Sequence, residues 1–294
     1  MITQEVNTHC DKDDENLSAG STVISDVNDD YITDCSEAKF TESSYKPEYN
    51  SINDFEVIWQ LGEGTQGSVY LVEWKHTKTK FALKVCSKHK HKKHLDDIVN
   101  ESEILAKIKH PFIVSYHAGF ENEHYKSFLL EFCYGGDLFY HLRKIEKSKR
   151  KNFSEKTVKF YICAIIIALQ NLHDNGIVFR DLKPENILID SNGYPKLWDF
   201  GLSVPISKLQ STKKFNQRGS CEYLAPEIIS RKSYGFSSDW WSLGILTYEL
   251  LHGKTPFEDP NIFKQQRNIL TQKVDLKDNL QNMNCKYLFT FWIY

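Results

Sequence analysis

The sequence contains few cysteines, and those it has are not arranged to bind a metal. Seven of the 294 residues are cysteine, and no two of them follow a CxxC spacing. An odd number of isolated cysteines argues against a disulfide framework and against a structural zinc site. Such usage is typical of a reducing compartment. We therefore expect a cytoplasmic protein, with the nucleus as the alternative location.

Long apolar runs are also missing. The longest one, from Ile162 to Leu169, is far shorter than the roughly 20 residues that a membrane-spanning helix requires. The N-terminus lacks the basic stretch and apolar core of a secretory signal peptide. We therefore expect neither a membrane span nor a signal peptide.

Neither sign of charge dominates, because 37 Lys and Arg stand against 39 Asp and Glu. This balance gives no indication of a nucleic-acid partner. The charge is uneven along the chain, since residues 1–50 hold 12 acidic and only 3 basic residues. This segment is rich in Ser, Thr and Asn and has no periodic apolar face. We interpret it as a disordered acidic extension, either regulatory or simply solubilising.

The folded part is predicted to begin near Phe55. Apolar residues alternate from Phe55 to Leu61, which indicates a strand. Further strands are predicted at 69–74, 81–86, 112–118 and 127–133, and residues 96–108 show apolar residues at helical spacing. The pattern predicts a mostly antiparallel sheet with one helix.

From residue 135 onward the pattern is helical. Ser154 is suited to be the N-cap of an apolar helix that ends at Asn175-Gly176. Further helices are predicted at 240–251 and 262–270. The sequence thus predicts an α+β fold in which a small, antiparallel, β-rich lobe precedes a larger α-helical lobe, with a hinge at Cys133–Gly136.

The segment "GEGTQGSV" at 62–69 carries three glycines at GxGxxG spacing. A dinucleotide-binding fingerprint would need a helix directly after the glycines. A strand is predicted there instead, which favours a β-hairpin whose backbone can lie over phosphates. The alternative is that the glycines serve an ordinary hairpin.

Lys84 lies within "FALKV", between apolar neighbours of a predicted strand. A lone strand lysine often keeps its ammonium group in solvent. Glu101, on the predicted helix of the small lobe, offers a different partner. A buried lysine held by that carboxylate could present its charge to a polyphosphate.

The segment "VFRDLKPENILID" at 178–190 sets charged and amide side chains between two apolar runs, and Asp199 follows in "WDFGLS". Mg²⁺ prefers carboxylate and amide oxygens, which Asn186 and Asp199 could supply. Asp181 could accept a proton from an attacking hydroxyl, and Lys183 could steady the transferred group. Taken singly, these residues could equally form a salt bridge and a turn.

Taken in order, "GEGTQGSV", Lys84, Glu101, "FRDLKPEN", "DFG" and "APE" resemble the eukaryotic protein kinases over roughly residues 55–275. The resemblance implies a two-lobe kinase domain at 55–294, with an N-lobe at 55–132 and a C-lobe at 135–294, and with ATP and Mg²⁺ as cofactors. Lys183 within "DLKPEN" is the form found in Ser/Thr kinases. The segments "HPFIV", "YLAPEI" and "DWWSLG" look like the AGC group, which includes protein kinases A, B and C.

This resemblance also implies a role for each candidate residue. Catalysis would depend on Asp181 and Lys183, and the metal would be held by Asn186 and Asp199. The nucleotide would be bound by Leu61, Gly62, Glu63, Gly64, Thr65, Gln66, Gly67, Val69, Ala82, Lys84, Glu101, Glu131, Cys133 and Leu188. Tyr116, Leu105, Phe200 and Phe179 would form a spine between the lobes.

Substrate choice is implied by a further set of acidic residues. Asp137, Glu185 and Glu249 would hold arginines upstream of the target Ser or Thr. The expected partners are therefore protein substrates with Ser or Thr near basic residues, and the enzyme is expected to be a monomer.

The sequence departs from the family pattern at three places. Asn216 stands where AGC kinases usually carry a phosphorylated Thr, so that either Ser211 or Thr212 substitutes or the segment is ordered without phosphate. Trp198 precedes Asp199, where a small residue is usual, and its ring either crowds the nucleotide or turns into the large-lobe core. The ending predicts an incomplete C-lobe, with no cation for a buried Glu227 and with wet faces on the 240–251 helix. These departures favour the alternatives of a pseudokinase scaffold with impaired nucleotide binding or a truncated kinase fragment.

Overall fold

A five-stranded antiparallel sheet forms the first half of the folded chain. The computed structural model describes residues 49, 51–64, 67–89, 95–147, 152–211 and 219–274. The strands are β1 (Phe55–Gly64), β2 (Gly67–Trp74), β3 (Lys80–Ser87), β4 (Tyr116–Glu121) and β5 (Tyr125–Glu131), and their order in the sheet is β1-β2-β3-β5-β4. Helix α1 (Leu95–Lys107) stands between β3 and β4 in the sequence.

The helical part follows β5. Its helices are α2 (Leu138–Glu146), α3 (Glu155–Asp174), α4 (Ile206–Ser211), α5 (Pro226–Ile229), α6 (Ser237–His252) and α7 (Ile262–Thr271). Two small antiparallel pairs lie among them: β6 (Ile177–Val178) with β9 (Val204–Pro205), and β7 (Ile187–Ile189) with β8 (Pro195–Leu197). These elements confirm the predicted α+β fold, with a β-rich lobe before a helical lobe.

The two ends of helix α3 are fixed by residues that the sequence analysis identified. The Ser154 hydroxyl accepts a hydrogen bond from the Thr157 backbone N–H, 3.1 Å away, which satisfies one donor of the first turn. Gly176 follows the C-cap residue Asn175 with φ of 71°, a left-handed conformation that ends the helix. The apolar stripe of α3 is buried in the main core, so the predicted core helix is confirmed.

One predicted strand begins later than the sequence suggested. The apolar run at 112–118 predicted a strand, but β4 starts at Tyr116. The first part of the run pairs with the large lobe instead. The Leu197 N–H donates to the Phe112 carbonyl at 2.9 Å, and the Val114 N–H donates to the Leu197 carbonyl at 2.9 Å.

The expectation of wet faces on the 240–251 helix was wrong. Within α6 only Ser237 is classed as exposed. The Trp241 ring stacks on Phe257, with ring centroids 6.1 Å apart and planes within 6°. Glu227 was expected to be a buried carboxylate without a cation. It is half-buried rather than buried, and it accepts a hydrogen bond from the Ser237 hydroxyl at 3.2 Å; among the residues that the structure describes, no cation is paired with it.

Within the ranges given above, no helix combines the length and the apolar character needed to cross a membrane. The predicted acidic extension at 1–50 falls almost wholly outside those ranges, as do the last 20 residues of the chain.

Candidate active site

The glycine-rich segment forms the tight hairpin between β1 and β2. Gly64 pairs with Gly67 at its end. Gly67 has φ of 151°, and a Cβ at this position would lie 2.2 Å from the Val85 carbonyl oxygen, so only glycine fits. A Cβ at Gly62 would meet nothing within 4 Å, which leaves that backbone open to a ligand. Thr65 and Gln66 lie outside the described residues.

The face of the sheet next to this hairpin presents several of the predicted nucleotide-binding residues. Val69 pairs directly with Lys84 across β2 and β3, and Ala82 lies two residues before Lys84. Because side chains alternate along a strand, all three share one face. Leu61 and Glu63, on β1, are exposed.

Lys84 is bound by two carboxylates, one from α1 in the same lobe and one, Asp199, from the large lobe. Its ammonium nitrogen lies 2.7 Å from Glu101 Oε1 on α1 and 2.7 Å from Asp199 Oδ1. Lys84 is 4% exposed and Glu101 is 1% exposed, whereas the Asp199 side chain is 33% exposed. The solvated-lysine alternative therefore does not describe this residue, whose charge is buried and paired.

The charges of this triad depend on one another. Burial alone would lower the pKa of Lys84, but attraction to Asp199 and Glu101 outweighs it, so the net pKa is raised. Burial raises the pKa of Glu101, and Lys84 offsets only part of that rise. Burial would also raise the pKa of Asp199, but the nearby ammonium group holds the net pKa below its ordinary value. Lys84 thus keeps Asp199 ionised beside the cleft.

The stretch between β6 and β7 brings Asp181, Lys183 and Asn186 together. Lys183 Nζ lies 2.8 Å from Asp181 Oδ2 and also donates to the Ser220 hydroxyl at 3.0 Å. The Asn186 amide nitrogen donates to Asp181 Oδ2 and to the Asp181 carbonyl, both at 2.8 Å. The Ser220 N–H donates to Asp181 Oδ1 at 3.3 Å. This network fixes the Asp181 carboxylate and neutralises its charge in place.

Asp239 binds the backbone at the start of this stretch, a role that the sequence analysis did not predict. It is fully buried on α6 and accepts hydrogen bonds from His173 Nε2 at 2.8 Å, Phe179 N–H at 2.9 Å and Arg180 N–H at 2.8 Å. Arg180 has φ of 74°, a strained left-handed conformation for a side chain with Cβ. The bond from its N–H to Asp239 stabilises that conformation. The segment "DWWSLG" contains Asp239, but the sequence does not indicate which residues it binds, because they lie far away along the chain.

The residues predicted to form a spine lie in one apolar cluster. Phe179 and Phe200 meet edge to face, with centroids 5.3 Å apart. Leu105 from α1 is buried in the same cluster, and Tyr116 packs against it. The cluster therefore runs from α1 and β4 to the stretch between β6 and β7.

The hinge side of the cleft contains the remaining predicted nucleotide-binding residues. Cys133 is buried in the main core, and Ala82 and Leu188 pack against that core from the two lobes. The Glu131 side chain is already engaged by another residue, because its two oxygens lie 2.7 and 2.9 Å from Lys196 Nζ. Glu131 could therefore contribute to a nucleotide site only through its backbone.

The three acidic residues predicted to hold substrate arginines have different surroundings. Asp137 caps α2 by accepting from the Tyr140 N–H at 2.7 Å. Glu185 is exposed, whereas Glu249 is 8% exposed and accepts a hydrogen bond from the Tyr223 hydroxyl. Burial raises the pKa of Glu249 to about 7, and the neighbouring Glu185 and Glu222 add to the rise.

Trp198 turns toward the stretch between β6 and β7. Its indole N–H donates to the Glu185 carbonyl at 2.8 Å, and its ring is half-buried against the main core. This is the arrangement in which the ring packs with the large lobe. Asn216 and Thr212 lie outside the described residues, and the Ser211 side chain is not described.

The oxygen atoms at the cleft suit a hard divalent cation. The Asn186 amide nitrogen is directed at Asp181, which leaves its carbonyl oxygen for another partner. Lys84 and the Gly201 N–H both approach Asp199 Oδ1, so Oδ2 can face a cation. One amide oxygen and one carboxylate oxygen are ligands of the kind that Mg²⁺ prefers.

Comparison with known proteins agrees with this geometry. The model of the protein kinase domain family matches residues 55–288. The chain is 40% identical to a probable serine/threonine-protein kinase of Dictyostelium discoideum, over 83% of this chain and 53% of that protein. It is also 40% identical to the human cAMP-dependent protein kinase catalytic subunit PRKX, over 81% of this chain and 64% of that protein. Its identity to serine/threonine-protein kinase sgk-1 of Caenorhabditis elegans is 39%, over 81% of this chain and 50% of that protein.

These curated relatives are longer than the matched region, and the chain spans about half to two thirds of their length. Because the family model covers most of the sequence and these relatives are protein kinases, the chain belongs to the protein kinase family.

Proposed function

We propose that the chain is a protein serine/threonine kinase that uses ATP and Mg²⁺. The observation that carries this proposal is the meeting of Lys84 with Glu101 and Asp199, all within hydrogen-bond distance. The network of Asp181 and Asn186 is joined to this group, because the Asn186 backbone carbonyl accepts from the N–H of Trp198, directly before Asp199, at 3.1 Å. When bound, ATP would supply the phosphoryl group, and Mg²⁺ would offset part of the negative charge of the phosphates. Asn186 and Asp199 would hold the metal, and the open backbone at Gly62 would approach the phosphates.

The residues of the chain would act chiefly by positioning and by charge. Asp181 would orient the Ser or Thr hydroxyl and accept its proton. Lys183, 2.8 Å from that carboxylate, would keep a positive charge beside the reacting groups. Phosphoryl transfer requires little covalent chemistry from the protein, so such a constellation is sufficient.

The direct test is transfer of labelled phosphate from Mg-ATP to a basic Ser/Thr peptide by the full chain. Asp181→Asn should lower kcat by about 100-fold or more. Asp174→Asn is the matched control, because Asp174 is exposed at the end of α3 and its carboxylate accepts a hydrogen bond from Gln170 of the same helix at 2.7 Å. Equal loss in both variants, or no transfer by the wild type, would refute the assignment.

A thermal-shift experiment separates the kinase from a pseudokinase scaffold. Mg-ATP should raise the melting temperature of the wild type, and Asp199→Asn should abolish the part of the shift that depends on Mg²⁺. A folded protein without any shift would count against nucleotide binding. A shift without phosphate transfer would support the scaffold.

We further propose that the enzyme prefers basic residues upstream of the target, supported by the acidic side chains of Glu185, Glu222 and Glu249, whose charges influence one another. A peptide array is the test, and a profile indifferent to upstream Arg and Lys would contradict the preference. We propose a location in the cytoplasm or nucleus, because Cys86, Cys133, Cys163 and Cys221 carry free thiols. We also propose that the enzyme acts as a monomer.

A further inference from the structure

Asn100 uses both ends of its side-chain amide to join α1 to the segment that follows Asp199. It is 5% exposed and directly precedes Glu101. Its nitrogen donates to the Ser203 carbonyl at 2.5 Å, and its oxygen accepts from Lys208 Nζ at 3.1 Å. A buried amide satisfied on both sides is a specific contact, because each lost bond would leave a polar group without a partner.

Ser203 continues the connection into the stretch between β6 and β7. It is 2% exposed, its hydroxyl donates to the Phe179 carbonyl at 3.1 Å, and its N–H donates to the Phe200 carbonyl at 2.9 Å. The residues after it form β9, which pairs with β6 directly before Phe179. The bonded path therefore runs from α1 through Ser203 to the backbone next to Asp181.

We propose that Asn100 is a positioning residue for the kinase reaction: by binding the Ser203 carbonyl, it holds α1 where Glu101 reaches Lys84. This inference rests on the proposed kinase function. Asn100 and Glu101 are consecutive on one rigid helix, so any rotation or shift of α1 that breaks the Asn100 bond also displaces the Glu101 carboxylate. A hydrogen-bonded network of this kind couples its members more strongly than separate contacts would.

A purely structural role for Asn100 makes different predictions. If the amide only satisfied a buried carbonyl, its loss would lower the stability of the whole domain without a specific effect on α1 or on the Lys84–Glu101 pair. The experiment must therefore measure the helix and the ion pair, as well as total activity.

The first measurement is hydrogen exchange of the full chain without nucleotide, which does not depend on catalysis. Asn100→Leu removes both the donor and the acceptor, and Glu103→Leu introduces the same side chain at an exposed position of the same helix. Asn100→Leu should raise exchange in α1 by about 10-fold or more and leave α3 unchanged. Uniform acceleration in both helices, or the same result for Glu103→Leu, would overturn the proposal. Asn100→Ala is the substitute if leucine prevents folding.

The second measurement is kinetic. Asn100→Leu should lower kcat by about 10-fold while KM for the peptide stays within about twofold. In the Glu101→Gln background the same change should have no further effect, because both substitutions act on one ion pair. Additive losses would overturn the proposal. If the wild type transfers no phosphate, the kinase assignment fails, and the exchange experiment still decides the role of Asn100.

A third variant tests which bond matters. Asn100→Asp keeps an acceptor for Lys208 but removes the donor to the Ser203 carbonyl. It should behave like Asn100→Leu in both measurements. Wild-type exchange and kcat in Asn100→Asp would show that the Ser203 bond has no positioning role.

Discussion

The Trp198 indole donates its N–H to the Glu185 carbonyl over 2.8 Å, and this bond directs the ring of Trp198 toward the stretch between β6 and β7. The residue sits directly before Asp199, so that a ring turned the other way would crowd a nucleotide or a metal. Its ring instead packs against the main core and is half-buried there. The bond and the packing both favour the same orientation of the ring.

Replacing Trp198 should therefore affect stability more than nucleotide binding. Trp198→Ala should lower the free energy of unfolding by about 2–4 kcal/mol, because a large ring leaves the core. The Kd for Mg-ATP should stay within about threefold, because the ring packs against the main core and does not point toward the proposed nucleotide site. Urea unfolding and calorimetric titration measure the two quantities. Tightening of the Mg-ATP complex by tenfold or more would show that the ring obstructs the site.

Removing Lys84 should be costly mainly because of the carboxylates left behind. Lys84→Met leaves Glu101, which is 1% exposed, without its cation, and breaking a buried pair in this way costs about 3–5 kcal/mol. Burial already raises the pKa of Glu101, and without Lys84 the pKa must rise further. A carboxylate whose folded pKa is raised destabilises the folded state as pH rises from the unfolded pKa to the folded one. The deficit of Lys84→Met should therefore be larger at pH 8 than at pH 5.

The double variant Lys84→Met with Glu101→Leu separates stability from function. It removes the orphaned charge and should recover much of the lost stability, while phosphate transfer stays absent. Urea unfolding at both pH values is the measurement. If Lys84→Met unfolds like the wild type at pH 8, the pair contributes nothing to the fold.

Much of the fold could be predicted from the sequence because its signals are local. Ser154 and Gly176 mark the two ends of α3 with side-chain and backbone preferences that do not depend on distant residues. The alternating apolar residues from Phe55 to Leu61 predicted β1 in the same way. The strand predicted at 112–118 began too early, because an apolar pattern does not indicate which segment its backbone will pair with. The backbone groups of Phe112 and Val114 bond to Leu197 instead.

The site was predictable only in part, and for a related reason. The motifs named Lys84, Glu101, Asp181, Asn186 and Asp199, which the structure gathers into two hydrogen-bonded groups linked through the Trp198 backbone. Asp239 and Asn100 gave no signal, because their function lies in partners far away in the sequence. The nearest Asp239 partner is 59 residues away, and Asn100 binds Ser203 across 103 residues.

The hairpin glycines offer a matched pair of substitutions. Gly67→Ala would place a Cβ 2.2 Å from the Val85 carbonyl at φ of 151°, whereas Gly62→Ala would meet nothing within 4 Å. Gly67→Ala should lower the free energy of unfolding by about 1–3 kcal/mol, because β2 must move away from β3. Gly62→Ala should leave unfolding unchanged. Thermal melts of both variants test this, and equal melting temperatures would refute the steric argument.

Glu249 should make the stability of the protein depend on pH near neutrality. Its pKa is raised from 4.5 to about 7, first by burial and then by the charges of Glu185 and Glu222. Between these values the folded state holds a proton that the unfolded chain releases, so the stability falls as pH rises through this window. Glu249→Gln removes the titration and keeps an acceptor for the Tyr223 hydroxyl. Relative to the wild type, the variant should gain on the order of 2–3 kcal/mol between pH 5 and pH 8.

The same titration should appear in substrate choice. Protonated Glu249 carries no charge for a substrate arginine, so the ratio of kcat/KM for an Arg-containing peptide to that for its Ala variant should rise between pH 6 and pH 8. Glu249→Gln should flatten this rise, because its amide has the same charge at both pH values. Glu258→Gln is the control, since Glu258 is an exposed carboxylate near the same cluster, and it should shift the ratio equally at both pH values. A wild-type ratio that is constant with pH would mean that Glu249 does not meet the substrate arginine.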